Sequence, residues 1–249
     1  MSKVNYEDFY DKVGRINGWD FSDVKVTSTG VSWNFFNEVQ GLCKSSDIIL
    51  DIGTGGGESL LGISSSALLL VGIDLSNGMI ETANANLQKS DICNVRFIQM
   101  DADRLQFPDD FFNVVSCRHS PFHANEIARV LKSGGTFITQ QVCENDKRNL
   151  KTFFNRGQSF GEKEGTLKKR YVEELKTAGF SEMKVFDYDA TEYYQRPEDL
   201  IFLLKHTPII PNFGEADTDC KMLKNFIHKN ETAKGIMTNS KRFMIEAKM

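Results

Sequence analysis

No run in these 249 residues approaches the roughly 18 apolar residues that a membrane-spanning helix needs. The first twelve residues, MSKVNYEDFYDK, are polar and acidic and lack the apolar centre of a secretory signal. Cysteine is sparse: Cys43, Cys93, Cys117, Cys143 and Cys220 are odd in number and form no C-x-x-C pair. That pattern argues against a disulfide framework and a zinc cluster, and for a reducing compartment. Positive charge is not in excess either. A formal net charge of −4 gives no general attraction to nucleic acid. These absences lead us to expect a soluble cytoplasmic protein with no membrane span, no metal and no nucleic-acid partner.

What is present is enough apolar sequence, 40% of the residues, for one globular domain with a real core. The chain is organised around residues 47–58, DIILDIGTGGGE. Ile48, Ile49, Leu50 and Ile52 read as a strand buried on both faces, running into a glycine turn and then a helix. Glycine permits positive φ and close approach of backbone to a ligand. A helix that opens on such a turn offers free backbone N–H groups to a nucleotide or nucleoside. The dinucleotide fingerprint G-x-G-x-x-G/A does not fit. Counted from Gly53, its third small residue falls on Glu58, and counted from Gly55 it falls on Leu60. The pattern present is D-x-G-x-G-x-G, on Asp51, Gly53, Gly55 and Gly57. A tight turn with no ligand is the plainer alternative.

Elsewhere, residues 1–30 read as an irregular arm, with Tyr10, Trp19 and Phe21 among turn residues. Val31, Phe35, Val39, Leu42 and Cys43 share a helical face. Trp33 lies off that stripe, as packing against the arm or as a wall of a substrate pocket. Strands are expected at 67–73, 95–101, 111–117, 136–142, 183–189 and 242–248. Helices are expected after Ser76, which can cap one, over Phe122–Leu131, and over Thr166–Ala178. Five strands alternating with helices through long connections predict an open, doubly wound α/β sheet. Residues 190–240 read as an insertion between the last two strands.

In such a sheet a ligand sits beyond the carboxyl ends of the strands. Asp74 ends the second strand, and its carboxylate can accept both hydroxyls of a ribose. Met79 in the next helix is a candidate for an adenine face, with core packing the alternative. Asp101 and Ala102, closing the third strand, suit an exocyclic amine and a ring nitrogen. Arg118 can hold a carboxylate of a cofactor or an acceptor. His119, with His123 behind it, can take a proton from an acceptor.

The segments ILDIGTGGGE, VGIDLSNGMIETA, FIQMDADRLQFPDDFFNVV and ARVLKSGGTFI occur in order over about residues 44–142. They resemble the successive motifs of class I S-adenosylmethionine (SAM)-dependent methyltransferases, near the ubiquinone/menaquinone-biosynthesis-like branch. The resemblance implies a seven-stranded, mostly parallel Rossmann-like sheet in a single domain, 1–249. Its small helical cap would come from about 1–43 and 190–235. It also implies SAM as cofactor and S-adenosylhomocysteine as product. The implied cofactor residues are Asp51, Gly53, Thr54, Gly55, Gly57, Asp74, Leu75, Met79, Asp101, Ala102 and Arg118.

Methyl transfer from a sulfonium is an in-line displacement that needs alignment and closeness. A dry aromatic pocket suits the cation, and Tyr10, Trp19, Trp33, Phe122, Tyr193 and Tyr194 are the candidates for it. His119 is the candidate catalytic residue. No NPPY-like tetrapeptide follows the fourth strand and no Pro-Cys pair occurs, which disfavours base-amino and pyrimidine methylation. Lys163, Lys168, Lys169, Arg170, Lys221, Lys224, Lys229 and Lys234 read as solvated helix faces. The expected acceptor is a small or medium-sized molecule, and the expected assembly is a monomer or homodimer. An RNA methyltransferase, a nicotinamide-dependent oxidoreductase and a non-catalytic SAM-binding protein are the alternatives.

Overall fold

A computed structural model describes residues 23–249. Among the described residues nine strands form one sheet in the order β1-β7-β9-β6-β5-β2-β3-β4, with β8 paired to β9. Five of them run parallel: β2 (Ile48–Ile52), β3 (Leu69–Asp74), β4 (Val95–Gln99), β5 (Phe112–Arg118) and β6 (Leu131–Val142). β1 (Val26–Thr29), β7 (Glu182–Tyr194), β8 (Glu231–Thr232) and β9 (Gly235–Lys248) pair antiparallel. The expected α/β class holds, and the expected seven strands become nine. The two extra are the short edge strands β1 and β8. Their few exposed residues carry no apolar alternation to read.

The helices are α1 (Phe35–Leu42), α2 (Glu58–Gly62), α3 (Asn77–Gln88), α4 (Ala124–Val130), α5 (Arg148–Phe154), α6 (Thr166–Thr177), α7 (Pro197–His206) and α8 (Asp219–Asn230). Ser76 caps α3 as expected, its hydroxyl accepting from Met79 N at 3.1 Å. Asn34 caps α1 in the same way through Asn37 N. Val31, placed on the α1 stripe from its spacing, lies before the helix and is exposed.

One sheet face buries Ile49, Val114 and Ile138 against Phe35 and Val39 of α1, Leu60 of α2 and Ala83 of α3. The other buries Leu50, Val115 and Phe137 against Ile127 of α4 and Leu175 of α6. Alternate residues of the central parallel strands β2, β3, β5 and β6 thus enter opposite cores, which is why these strands read as largely apolar runs, while β4 buries only Val95 and Phe97. The order reverses between β2 and β5, so the loop after β2 opens at the switch point.

No helix joins β4 to β5. Arg129 of α4 holds that connection instead, donating to Leu105 O and Phe107 O, each at 2.7 Å, and to Glu126 and Asp109. Replacing Arg129 with Met should lower the unfolding free energy by about 1–3 kcal/mol, since hydrogen bonds to charged groups contribute on that scale. Urea denaturation would show it as an earlier midpoint, and an unmoved midpoint would refute the role.

A third cluster packs Leu150 and Phe154 of α5 with Leu200 and Leu204 of α7 and Leu223 and Phe226 of α8. It sits on the far ends of β7 and β9, where Tyr194 and Ile236 pair. The insertion expected at 190–240 therefore starts later: the strands run on through 190–194 and 235–240, and α5 joins the cluster from outside the range. Two buried ion pairs, Lys147–Glu192 and Arg242–Asp146, bind the segment after β6 to this hairpin. Arg156 grips the fully buried Asp219 through both carboxylate oxygens at 2.9 Å. Of the arm, Tyr10, Trp19 and Phe21 lie outside the described residues.

Candidate functional site

The site is built from the carboxyl ends of β2, β3, β4 and β5. Register places Asp51 of β2 opposite Gly72 of β3 on one side and Ser116 of β5 on the other. Cross-strand partners project to the same face, so the Ser116 hydroxyl reaches Asp51 and donates to its Oδ1 at 2.6 Å. Asp51 is only 3% exposed. Burial pushes its carboxyl up to about 6, against the opposing pull of the Ser116 and Thr54 hydroxyls and the Arg118 guanidinium. The group thus ionises at a higher pH than an ordinary aspartate does.

Gly53, Gly55 and Gly57 have φ of 72°, 58° and 78°, the left-handed region that disfavours side chains. At two of them space is lacking as well. A Cβ on Gly53 would lie 2.4 Å from Ser120 Cβ, and one on Gly57 would lie 2.4 Å from the Phe97 ring. The loop folds back on the tip of β3: Gly53 N–H and Thr54 N–H both donate to Ile73 O. Asp74 closes the turn, its Oδ2 accepting from Gly55 N and its Oδ1 from Ser76 N, each at 3.0 Å. A carboxylate can accept about four hydrogen bonds, so one that holds the turn can also meet a ribose hydroxyl.

Beside Asp74, Leu75 is 46% exposed at the strand tip, while Met79 is 2% exposed and belongs to the core. Leu75 has the apolar surface at this tip. Met100 N–H donates to Asp74 O at 3.0 Å and so brings Asp101 and Ala102 alongside. Asp101 Oδ1 accepts from Asp103 N at 2.9 Å. The structure thus gathers Asp51, the glycine loop, Asp74, Leu75, Asp101 and Ala102 on neighbouring strand tips.

The segment after β5 crosses above Gly53. His119 has φ of 58°, and its N–H donates to Gln140 O at 2.9 Å. The side chain of Gln140 links two rings. Trp33 Nε1 lies 2.7 Å from Gln140 Oε1, and Gln140 Nε2 lies 2.9 Å from His119 Nε2. An indole N–H only donates, so the amide oxygen faces Trp33 and the amide nitrogen faces His119. His119 Nε2 must therefore accept, which places the ring proton on Nδ1. Burial, reinforced by Arg242 and Arg118, holds this imidazole well below its usual range, in agreement with a neutral ring. Gln141 secures the same segment, donating to Ser120 O at 2.8 Å.

Arg118 opens onto a cleft of about 440 Å³ between α1, α2 and the sheet, whose aromatic lining includes Trp33, Phe36 and Tyr188. Other expected pocket rings lie elsewhere. Phe122 packs on Phe137 and Tyr171 in the core, and Tyr194 is buried with its hydroxyl donating to Glu192. His123 is an exposed residue at the start of α4.

Four contributors were missed in the sequence: Ser116, Ser120, Gln140 and Gln141. For the glutamines a signal existed. QQ interrupts the apolar run TFITQQV, and a paired, buried polar step in a central strand needs partners. Both are indeed about 95% buried, with 4% and 5% exposed. Ser116 and Ser120 left no signal, because their roles depend on strand register.

Comparison with known proteins agrees with this geometry. The family described as a methyltransferase domain matches residues 49–135. An uncharacterized methyltransferase, YcgJ, of Bacillus subtilis (strain 168) is 37% identical over 103 residues, 39% of this chain and 41% of that protein. A demethylmenaquinone methyltransferase of Clavibacter sepedonicus is 33% identical over 103 residues, 39% of this chain and 40% of that protein. The matches thus span about two fifths of these relatives' lengths. The crystal structure of YcgJ superposes with a TM-score of 0.62 at 20% identity, covering 86% of this chain and 97% of that one. A Haemonchus contortus phosphoethanolamine N-methyltransferase in complex with S-adenosylhomocysteine gives 0.59 at 19% identity, covering 100% of this chain and 61% of that one. Residues 49–135 of the chain thus resemble the methyltransferase-domain family, and the fold is the Rossmann-like one of these solved structures, with the glycine loop at its switch point.

Proposed function

We propose that this protein is a SAM-dependent methyltransferase that acts in the cytoplasm on a small or medium-sized acceptor. The observation that carries the reading is the tie between Asp74 and the Gly55 and Ser76 N–H groups. It shapes the glycine loop into a cradle and presents a carboxylate at its rim. SAM, when bound, supplies an electrophilic methyl group on a sulfonium. The chain's own part is to grip and align. Gly53–Gly57 offer bare backbone, Asp74 a ribose acceptor, Leu75 an apolar face, Asp101 and Ala102 polar contacts, and Asp51 a negative charge that a cation stabilises. Among the described residues no helix is long and apolar enough to cross a membrane. Exposed Lys169 and Arg170 pair with Glu173 and Glu174 on α6 and Lys168 with Asp187, so these cations form no bare basic stripe. The paired cations favour a small acceptor over RNA. α5, α7 and α8 would act as the cap.

His119 enters this reading as a neutral hydrogen-bond donor through Nδ1–H, with its Nε2 committed to Gln140, rather than as a general base. The imidazole should stay neutral across pH 6–8. Two-dimensional ¹H–¹⁵N imidazole spectra, with His119→Gln to assign the signal, should show the Nδ1–H form and no midpoint near the ordinary value of about 6.5. A midpoint there would contradict the arrangement. The reading as a whole is tested by titrating S-adenosylhomocysteine into purified protein. Saturable binding at one site is expected, and no binding at millimolar ligand would refute it.

A further inference from the structure

Three cations in the upper half of the fold have carboxylate partners, and Lys151 donates to the carbonyls of Glu144 and Gln158. Lys147 holds Glu192, Arg242 holds Asp146 and Arg156 holds Asp219. Arg118 forms no ion pair with any described carboxylate. Its guanidinium lies 5.9 Å over the Phe36 ring and faces the cleft. Opposite, Trp33 and Tyr188 pack with ring centroids 4.5 Å apart, and Phe186 closes on Trp33 at 6.4 Å. The indole N–H is already used by Gln140, so Trp33 presents an apolar face. A volume of about 440 Å³ lies within the usual range for small-molecule sites. Among the described residues the lining takes nothing from Gly53–Gly57, Asp74 or Asp101, so the cleft is separate from the nucleoside cradle. Yet Arg118 leads directly into the 119–120 segment that crosses Gly53, so the two spaces adjoin.

We propose that this cleft is the acceptor site and that it takes a planar, aromatic molecule bearing a carboxylate. The ring slots between Phe36 and the Trp33–Tyr188 pair, and the carboxylate takes the fork of Arg118. A guanidinium matches a carboxylate in two parallel hydrogen bonds, and flat faces reward a flat ligand. The proposal rests on the methyltransferase reading for the word acceptor, although the recognition itself does not need it.

The test uses 2-naphthoate and its uncharged analogue 2-naphthamide, titrated with and without S-adenosylhomocysteine. Tryptophan fluorescence is the readout, and Trp33→Phe identifies the reporting ring. Naphthoate is expected to bind about tenfold tighter than naphthamide and to leave S-adenosylhomocysteine in place. Arg118→Gln should erase that preference, and Arg118→Lys should keep part of it, with both variants retaining native thermal unfolding and native S-adenosylhomocysteine affinity. Equal affinity for the two probes would overturn the proposal. So would displacement of S-adenosylhomocysteine by naphthoate, or loss of S-adenosylhomocysteine affinity in Arg118→Gln, which would give the guanidinium to the cofactor. If the native protein bound naphthoate selectively but no S-adenosylhomocysteine, the cofactor reading would fail while the anion site stood.

Discussion

Asp74→Ala should lower affinity for S-adenosylhomocysteine by about 100-fold or more. Two effects add. The variant removes the carboxylate proposed to accept the ribose hydroxyls, and hydrogen bonds to a charged group contribute about 1.5–3 kcal/mol each. It also leaves the N–H groups of Gly55 and Ser76 without their acceptor at the turn. The loop then keeps only its Gly53 and Thr54 N–H bonds to Ile73 O, and more of the bound geometry must be ordered at ligand cost. Asp74→Asn should not rescue binding fully. Its amide nitrogen would face one of two backbone donors, Gly55 N–H or Ser76 N–H. Calorimetry on the three proteins would show the order. An Asp74→Ala protein binding within about threefold of the native one would remove this residue from the site.

Asp51→Asn should make the unliganded protein more stable while making it a worse binder. The folded carboxyl is pushed up to about 6 by burial, above its ordinary 3.8. A buried acid with a raised value favours the protonated fold. Its stability contribution is therefore greatest below the unfolded value, declines as pH rises between 3.8 and about 6, and stays low above that. The ionised group thus costs the fold up to about 3 kcal/mol at neutral pH. Asparagine keeps an oxygen for the Ser116 hydroxyl and carries no charge. Denaturant curves from pH 4 to 8 should show the native protein losing stability over that window and Asp51→Asn losing less. Affinity for the cationic cofactor should fall by about tenfold or more, because the counter-charge is gone. Parallel curves for the two proteins would show that Asp51 carries no such strain. The pattern is that of a group kept for binding at the expense of stability.

The parallel half of the fold was legible because its central strands enter two cores. That produces continuous apolar runs such as IILDI and LLVGID, and glycines and acids punctuate them. The glycine loop and Asp74 were legible for a related reason: φ above zero and a strand-end carboxylate leave residue-type signatures. β1 and β8 were not, since edge pairing is made by backbone and leaves little trace in side chains. The length of β7 and β9 was missed because their outer residues, 190–194 and 236–240, pair with each other at the insertion and not with β6. Arg118 and His119 were found as residues, but their setting was not. Whether an imidazole is a base or a fixed neutral donor depends on Gln140 and Trp33, 21 and 107 positions apart across the 119–140 and 33–140 contacts. Phe36 and Tyr188, which shape the cleft, come together only through the α1 docking and the β7–β9 register.

The most direct test of the central claim is a crystal structure of the protein grown with S-adenosylhomocysteine. The account predicts the ribose hydroxyls on Asp74, the amino-acid end over Gly53–Gly57, the adenine beside Leu75 and Asp101, and the Arg118 cleft left open. Density for the nucleoside in that cleft, or none at the strand tips under saturating ligand, would contradict it.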